Sequence, residues 1–310
     1  MEYTVVIRTL GTAGDCYQRT LNSLLEQSIK PQAIIIYIAE GYPIPKETVG
    51  IERYVYVKKG MVAQRALAYD EVETDYILFL DDDIYMSPTF VEIMYNELIE
   101  YNGHVISPCV FNIHEVSWKS KVVHSLKGKA VARLWDKRWG FKVLRTGGFS
   151  YNNNPVKSVY ESTTNAGACF FCKKSDFLKI RYEEELWLDE TPYALPDDQV
   201  MFYKMHLCGL KVLTSFDSGI VHLDAGSAMQ ASNEKLLKVI YSEFRNKTIF
   251  WYKYIYSREK NQLTKAWSIL CYTYSMGVQF LNLKLKGTNI EAIALKNGVI
   301  DGWKFIMNNR

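Results

Sequence analysis

Residues 33–39 read AIIIYIA, an apolar run with no polar alternation. A strand with one wet face alternates in character, so an unbroken run predicts a strand covered on both faces, as in a parallel sheet between helices. The neighbouring segments keep the same rhythm. YTVVIRT at residues 3–9 is a short β-branched run followed by a polar, Gly-containing turn. Tyr17, Leu21, Leu24 and Leu25 then fall on one helical face. Residues 54–57 suit a third strand, 61–72 a helix and YILFL at 76–80 a fourth strand. Ser87-Pro88 has the form of an N-cap followed by proline at the first helical position, opening a helix to about Tyr101. Strands alternating with helices at this pace predict a mostly parallel α/β sheet with helices on both faces.

With 310 residues, 48% of them hydrophobic, the chain can bury a large core as one α/β domain or a domain with an appendage. Its 37 Lys+Arg against 34 Asp+Glu leave a formal charge of +3, too balanced to suggest nucleic acid as an obligatory partner. The 22 tyrosines suit sugar stacking, membrane interfaces or an ordinary core alike. Of the six cysteines, Cys169 and Cys172 form a lone CxxC without a second pair, a poor basis for zinc or redox chemistry. A strand begins almost at residue 1, with no basic head or cleavage site before it, so a cytoplasmic protein with reduced thiols is expected.

Asp81, Asp82 and Asp83 follow the fourth strand directly. Adjacent carboxylates repel and are costly to desolvate, so a fold tolerates them where a cation or solvent compensates. In an extended chain Asp81 and Asp83 point the same way, at the strand edge where ligands of open α/β sheets gather. Hard oxygen ligands suit Mg²⁺ or Mn²⁺, which bind diphosphate oxygens. A solvated acidic turn capping the next helix is the bland alternative.

YILFLDDDIYMSPTFVEIM resembles the strand, DxD element and following helix of family 2 glycosyltransferases with a GT-A fold. VVIRT and LNSLLEQS are similar to that family's opening strand and first helix, and IIIYIAEG to its second strand. The resemblance implies an inverting transferase that uses a nucleoside diphosphate sugar, with a UDP-sugar favoured, and a glycan or lipid-linked acceptor. It implies donor contacts at Thr9, Glu40, Arg65, Asp81 and Asp82. Glu40 stands where the family more often has Asp, and Arg65 lies in MVAQRALAY, which resembles a helix near the base or phosphates. Asp83 and His222, the latter ending GIVH, are implied as ligands of Mn²⁺ or Mg²⁺.

Pro196-Asp197-Asp198-Gln199 opens a predicted helix, and Asp197 and Asp198 serve equally well there as N-terminal caps. The resemblance makes Asp198 the general base. Displacement at the anomeric carbon needs a group to take the acceptor proton on the face opposite the leaving diphosphate. TTNAGACFFCKKSDF resembles the stretch entering the acceptor half, which implies that Asn165, Ala166 and Gly167 line the site by backbone. Trp187 suits either an acceptor sugar face or the core, and His206 suits packing.

Residues 112–164 break the pattern and leave a hairpin, a lid or long surface loops open. Regular signals return at 168–172, at 199–207 as a helix, and at 211–215 as a strand. Beyond Ser232 the chain is predicted helical. The uncharged stretch 266–283 is diluted by Ser, Thr, Tyr, Gln and Asn, which favours helices packed on the domain or resting peripherally at the inner membrane face over a span. The resulting division is a nucleotide-sugar half at 1–110, an acceptor half at 111–230 and a helical extension at 231–310. A catalytically silent nucleotide- or glycan-binding module and a sugar-nucleotide pyrophosphorylase are the alternatives. RTLGTAGDCYQRT lacks the glycine-rich pattern of the latter, and an aspartyl phosphatase would carry its DxD after the first strand.

Overall fold

The computed structural model describes residues 1–111, 117–120, 122, 138–223 and 233–309. Among the described residues there are twelve strands: β1 (Tyr3–Thr9), β2 (Ala33–Ala39), β3 (Glu52–Val57), β4 (Tyr76–Asp81), β5 (Ile84–Met86), β6 (Val105–Pro108), β7 (Phe141–Val143), β8 (Phe149–Tyr151), β9 (Val159–Ser162), β10 (Cys169–Lys173), β11 (Val212–Ser215) and β12 (Ile220–His222). The helices are α1 (Asp15–Leu25), α2 (Phe90–Glu100), α3 (Lys174–Leu178), α4 (Asp197–Leu207), α5 (Asn233–Tyr254), α6 (Gln262–Leu285) and α7 (Asn289–Asn308), with a 3₁₀ segment at Tyr182–Glu190.

Eight strands form one sheet in the order β3-β2-β1-β4-β10-β6-β11-β9. β3, β2, β1 and β4 run parallel, β10 is antiparallel to both β4 and β6, and β11 lies parallel to β6. This mostly parallel sheet flanked by helices, with helices continuing to the C-terminus, is the architecture of a GT-A fold. β2 is buried along almost its whole length, as its unbroken apolar run requires. Two apolar cores lie on opposite faces of the sheet. One gathers Val5, Ile36, Leu78 and Phe171, the other Val6, Ile35, Phe79 and Phe170. Cys169 belongs to the first and Cys172 to the second, so the CxxC thiols face opposite ways and act as packing groups.

Several local expectations are corrected. Residues 61–72 are not a helix but tight turns, with Gln64 N bonded to Gly60 O at 3.0 Å and Ala66 N to Val62 O at 2.7 Å. Val62 N and Ala63 N are held by the Asp189 carboxylate, and the segment cannot run on as one helix through Tyr69, which adopts the left-handed φ of 56°. α2 begins at Phe90 behind Thr89, while Ser87 pairs with the β12 edge, its N–H donating to Gly219 O at 2.9 Å. Asp82 and Asp83 sit in a turn between β4 and β5, so the extended-chain alternation assumed for the triplet does not apply.

The expectation for residues 112–164 falls partly outside the described residues; within them, β7 and β8 pair as a hairpin. Trp187 is core, not surface: it is 9% exposed, donates from Nε1 to Glu185 at 2.8 Å and packs on Phe305. Glu185 is itself fully buried and also accepts from Lys204 and Lys253, each at 2.9 Å, and from the Tyr254 hydroxyl. This carboxylate ties α4 to α5 and thus the C-terminal helices to the domain. Two cations and two neutral donors satisfy it, which is what a fully buried carboxylate requires. Among the described residues, no helix is long and apolar enough to cross a membrane.

Candidate active site

The C-terminal ends of β1 and β4 lie side by side, with Arg8 directly opposite Asp81 in the strand register. Arg8 Nε donates to Asp81 Oδ1 at 2.7 Å, and its Nη1 to the Met61 carbonyl at 2.9 Å. One residue further on, the Thr9 hydroxyl donates to Asp82 and accepts from Gly11 N at 2.8 Å. Burial pushes Asp82 up to about 6; the Thr9 hydrogen bond opposes the shift and the charges of Asp81 and Asp83 add to it.

Asp83 is brought to His222 by a second pairing. β12 runs antiparallel to β5 with His222 opposite Ile84, and Leu223 N donates to Asp83 O at 2.8 Å. Asp83 Oδ1 and His222 Nε2 are then 3.5 Å apart. Cis ligands on a six-coordinate ion lie about 3 Å apart for bonds near 2.1 Å, so this oxygen–nitrogen pair fits two positions on a hard divalent cation that keeps water and phosphate elsewhere. His222 Nδ1 is buried and makes no hydrogen bond among the described residues. No group of three or more His, Cys, Asp or Glu side chains forms a metal cluster among the described residues.

The second acidic pair joins the first through arginine. Arg65, 3% exposed, donates from Nη1 to Asp198 Oδ1 at 2.8 Å and from Nη2 to Gly167 O at 2.9 Å. It also lies 3.6 Å from Asp197 Oδ2 and 3.7 Å from Asp81 Oδ1. Arg8 Nη1 is 3.7 Å from the same Asp197 oxygen. Two guanidinium groups thus stand among three carboxylates. Asp81 and Asp198 hold the short contacts, and Asp197, buried with an unbonded Oδ2, is the odd charge. Burial and the adjacent Asp198 push Asp197 above the ordinary carboxylate range, Arg65 and Arg8 opposing. Burial acts on Asp198 in the same sense, but Arg65 and Arg8 outweigh it and hold that carboxyl below the ordinary range.

A cleft of about 1070 Å³ opens over this cluster, with Arg8, Thr9, Asp81, Asp82, Asp83 and His222 in its wall. Asp189, Thr191 and Tyr193 face them from the segment leading into α4. Asp198 and Arg65 stand behind the wall, in contact through Asp81, and Asp198 keeps about a third of its side chain exposed, at 35%. Glu40 is set apart: it is exposed beyond β2, its N–H donates to Val57 O at 2.8 Å, and it is not part of the cleft lining. Arg8 and Asp189 were not singled out from the sequence. Arg8 left a signal, a charge inside an apolar strand; Asp189 left none, since the amides it holds are 126 and 127 residues away.

A mostly parallel sheet with a polar cleft at its C-terminal edge, lined by acidic side chains and Arg8 with Arg65 behind them, has its site where nucleotide ligands of open α/β sheets gather. Residues 4–156 match the family model described as glycosyl transferase family 2. That match supports glycosyltransferase activity in general, with a nucleotide-sugar donor and an acceptor. Asp198 and His222 lie beyond the matched residues. No curated protein matches the chain.

Proposed function

We propose that the chain is an inverting glycosyltransferase that moves a sugar from a nucleoside diphosphate donor, UDP-linked by preference, to a hydroxyl of a glycan or lipid-linked acceptor. The observation that carries this reading is the convergence of Asp81, Asp197 and Asp198 on Arg8 and Arg65 beside the Asp83–His222 pair, in and behind one cleft. Residues 1–110 would supply the donor half and residues 111–230 the acceptor half.

In this mechanism Asp198 takes the acceptor proton as the new bond forms. Its pairing with Arg65 lowers its basicity until a donor binds. Arrival of the anionic diphosphate draws on the same guanidinium and returns basicity to Asp198 when an acceptor is present. Arg8 and Arg65 hold positive charge beside the departing diphosphate, where it is worth most in a partly buried site. Asp82, anchored by Thr9, faces the donor sugar, and Asp81 is kept in place by Arg8. Asp83 and His222 would hold Mn²⁺ or Mg²⁺, which when bound supplies Lewis-acid stabilisation of the leaving group.

The test is transfer and hydrolysis of UDP- and GDP-sugars, with and without Mn²⁺. Asp198→Asn is expected to bind nucleotide like the parent while losing transfer by about 10²–10⁴-fold. His222→Ala is expected to raise the Mn²⁺ concentration for half-activation by about tenfold or more, the loss of one of two protein ligands. The pairing of Asp198 with Arg65 also favours a second reading, a catalytically silent nucleotide-binding module. Nucleotide binding without turnover of any nucleotide sugar would select it.

A further inference from the structure

We propose that α6 lies along an anionic bilayer surface, with its solvent face inserted among the lipid headgroups. The helix is 24 residues long, about 36 Å at 1.5 Å per residue. Leu263, Trp267, Leu270, Tyr274, Leu281 and Leu285 recur on one side of it, with exposures from 47% at Tyr274 to 88% at Leu285. The side packed on the protein is the more polar one, with Ser268, Tyr272, Ser275 and Met276 buried. This orientation is fixed by specific contacts. The Tyr272 hydroxyl is 2.6 Å from Thr248 Oγ1, its ring stacks on Trp251 at 4.3 Å, and Ser268 donates to Glu259 at 2.9 Å. A helix that turns its polar side inward and a continuous apolar stripe outward is arranged for a partner.

Charge identifies the partner. From Lys260 to Ile290 there are four lysines, Lys260, Lys265, Lys284 and Lys286, and no acidic residue. This segment carries +4 in a chain whose total is +3, so the remainder carries −1. An apolar stripe with an aromatic pair and lysines near both ends matches an anionic lipid surface, where the aliphatic stems lie along the interface and the ammonium groups reach phosphate. A second copy of the chain is a poor match, because two such helices would bring lysine against lysine, and the flanking acid Glu259 is already engaged by Arg145 and Ser268. Since no described helix can cross a membrane, the contact is along the surface.

The test is co-sedimentation of the full chain with vesicles of phosphatidylcholine, alone or mixed with phosphatidylglycerol, alongside sedimentation velocity without lipid. Binding is expected to be at least about tenfold tighter to the anionic vesicles and to weaken as salt rises. A variant carrying Trp267→Ser, Leu270→Ser and Leu281→Ser, all exposed positions, is expected to keep its thermal midpoint and lose vesicle binding. A variant carrying Lys260→Gln, Lys284→Gln and Lys286→Gln is expected to lose the preference for anionic vesicles. Equal binding to both vesicle types, or serine-variant binding like the parent's, overturns the proposal. So does a lipid-free dimer that the serine changes dissolve, which would assign the stripe to a second copy.

Discussion

The Arg65 guanidinium holds Asp198 Oδ1 at 2.8 Å with one nitrogen and the Gly167 carbonyl at 2.9 Å with the other. One side chain from the turns after β3 therefore fixes both the first turn of α4 and the loop entering β10. These are the elements that carry the proposed base and the backbone beside it. The fork geometry matters as much as the charge, since a single ammonium cannot reach a carboxylate and a carbonyl along two fixed directions.

Arg65→Lys is therefore expected to keep the charge and lose the alignment. A misplacement of about 1 Å at a reacting group costs on the order of 10²-fold in rate, and kcat should fall by about that much with nucleotide binding little changed. Arg65→Met removes the cation from a buried ion-pair cluster and is expected to cost about 3–5 kcal/mol of stability. Initial-rate kinetics and thermal melts on the two variants separate these effects. A lysine variant with parental kcat would remove Arg65 from any positioning role.

Gly167 offers a steric test of the same arrangement. A Cβ built on it would stand 2.0 Å from Asp198 Oδ1 and 2.9 Å from Arg65 Nη1, and its φ is not in the left-handed region. Gly167→Ala is thus expected to act by displacing Asp198 and Arg65, without backbone strain at the substituted position. Transfer should drop by at least about tenfold at nearly constant nucleotide affinity, one tenfold step being about 1.4 kcal/mol of barrier. Parental turnover in this variant would show that Asp198 need not stay where Gly167 admits it.

The odd carboxylate gives a pH dependence with a definite sign. Asp197 is raised from an ordinary value of 3.8 to about 7, so over that window the native state holds a proton that the unfolded chain has released. Stability contributed by this group therefore falls as pH rises from about 4 through 7 and levels off above. Asp198 acts oppositely: its lowered value contributes stability at neutral pH that is lost on acidification. Asp197→Asn removes the slope that falls with rising pH. Its thermal midpoint relative to the parent should be higher at pH 8 than at pH 5, by about 2–4 °C for each kcal/mol. A difference that is flat with pH would mean that Asp197 is ionised throughout.

Much of the fold could be read from the chain because its strands announce themselves. β2 and β4 are uninterrupted apolar runs, and such runs are stable only between two layers of helix. The triplet at 81–83 was equally plain, since three adjacent carboxylates after a buried strand need an outside reason. The helix expected at 61–72 failed for the opposite reason. Its apolar spacing is helical, but Tyr69 turns left-handed at φ 56° and the turns before it are held by Asp189 from a distant segment, which no local pattern contains. Glu40 stands at the end of the matching strand with its side chain exposed and outside the cleft lining, a placement that the sequence pattern alone does not specify. The Arg8–Asp81 contact was within reach, given a charge inside YTVVIRT and an acid at the end of the paired strand, but only once the register Arg8↔Asp81 is known.

Asp189 connects these observations to a final expectation. It sits at the end of the 3₁₀ segment, lines the cleft, and accepts from Val62 N at 3.1 Å and Ala63 N at 2.8 Å. The fit is close, since a Cβ on Gly60 would stand 2.3 Å from Asp189 Oδ2. Asp189→Ala leaves two amides without their acceptor, a cost of about 1–3 kcal/mol each where water cannot replace it. The turns at 60–65 would then be released, and Arg65 with them. Asp189→Ala should lower both the thermal midpoint and kcat, whereas Asp189→Asn, which keeps one carbonyl oxygen for Ala63 N, should fall between it and the parent. A loss of stability with kcat unchanged would show that the turns hold Arg65 in place without Asp189, leaving Asp81 as the contact between the cleft wall and the Arg65–Asp198 pair.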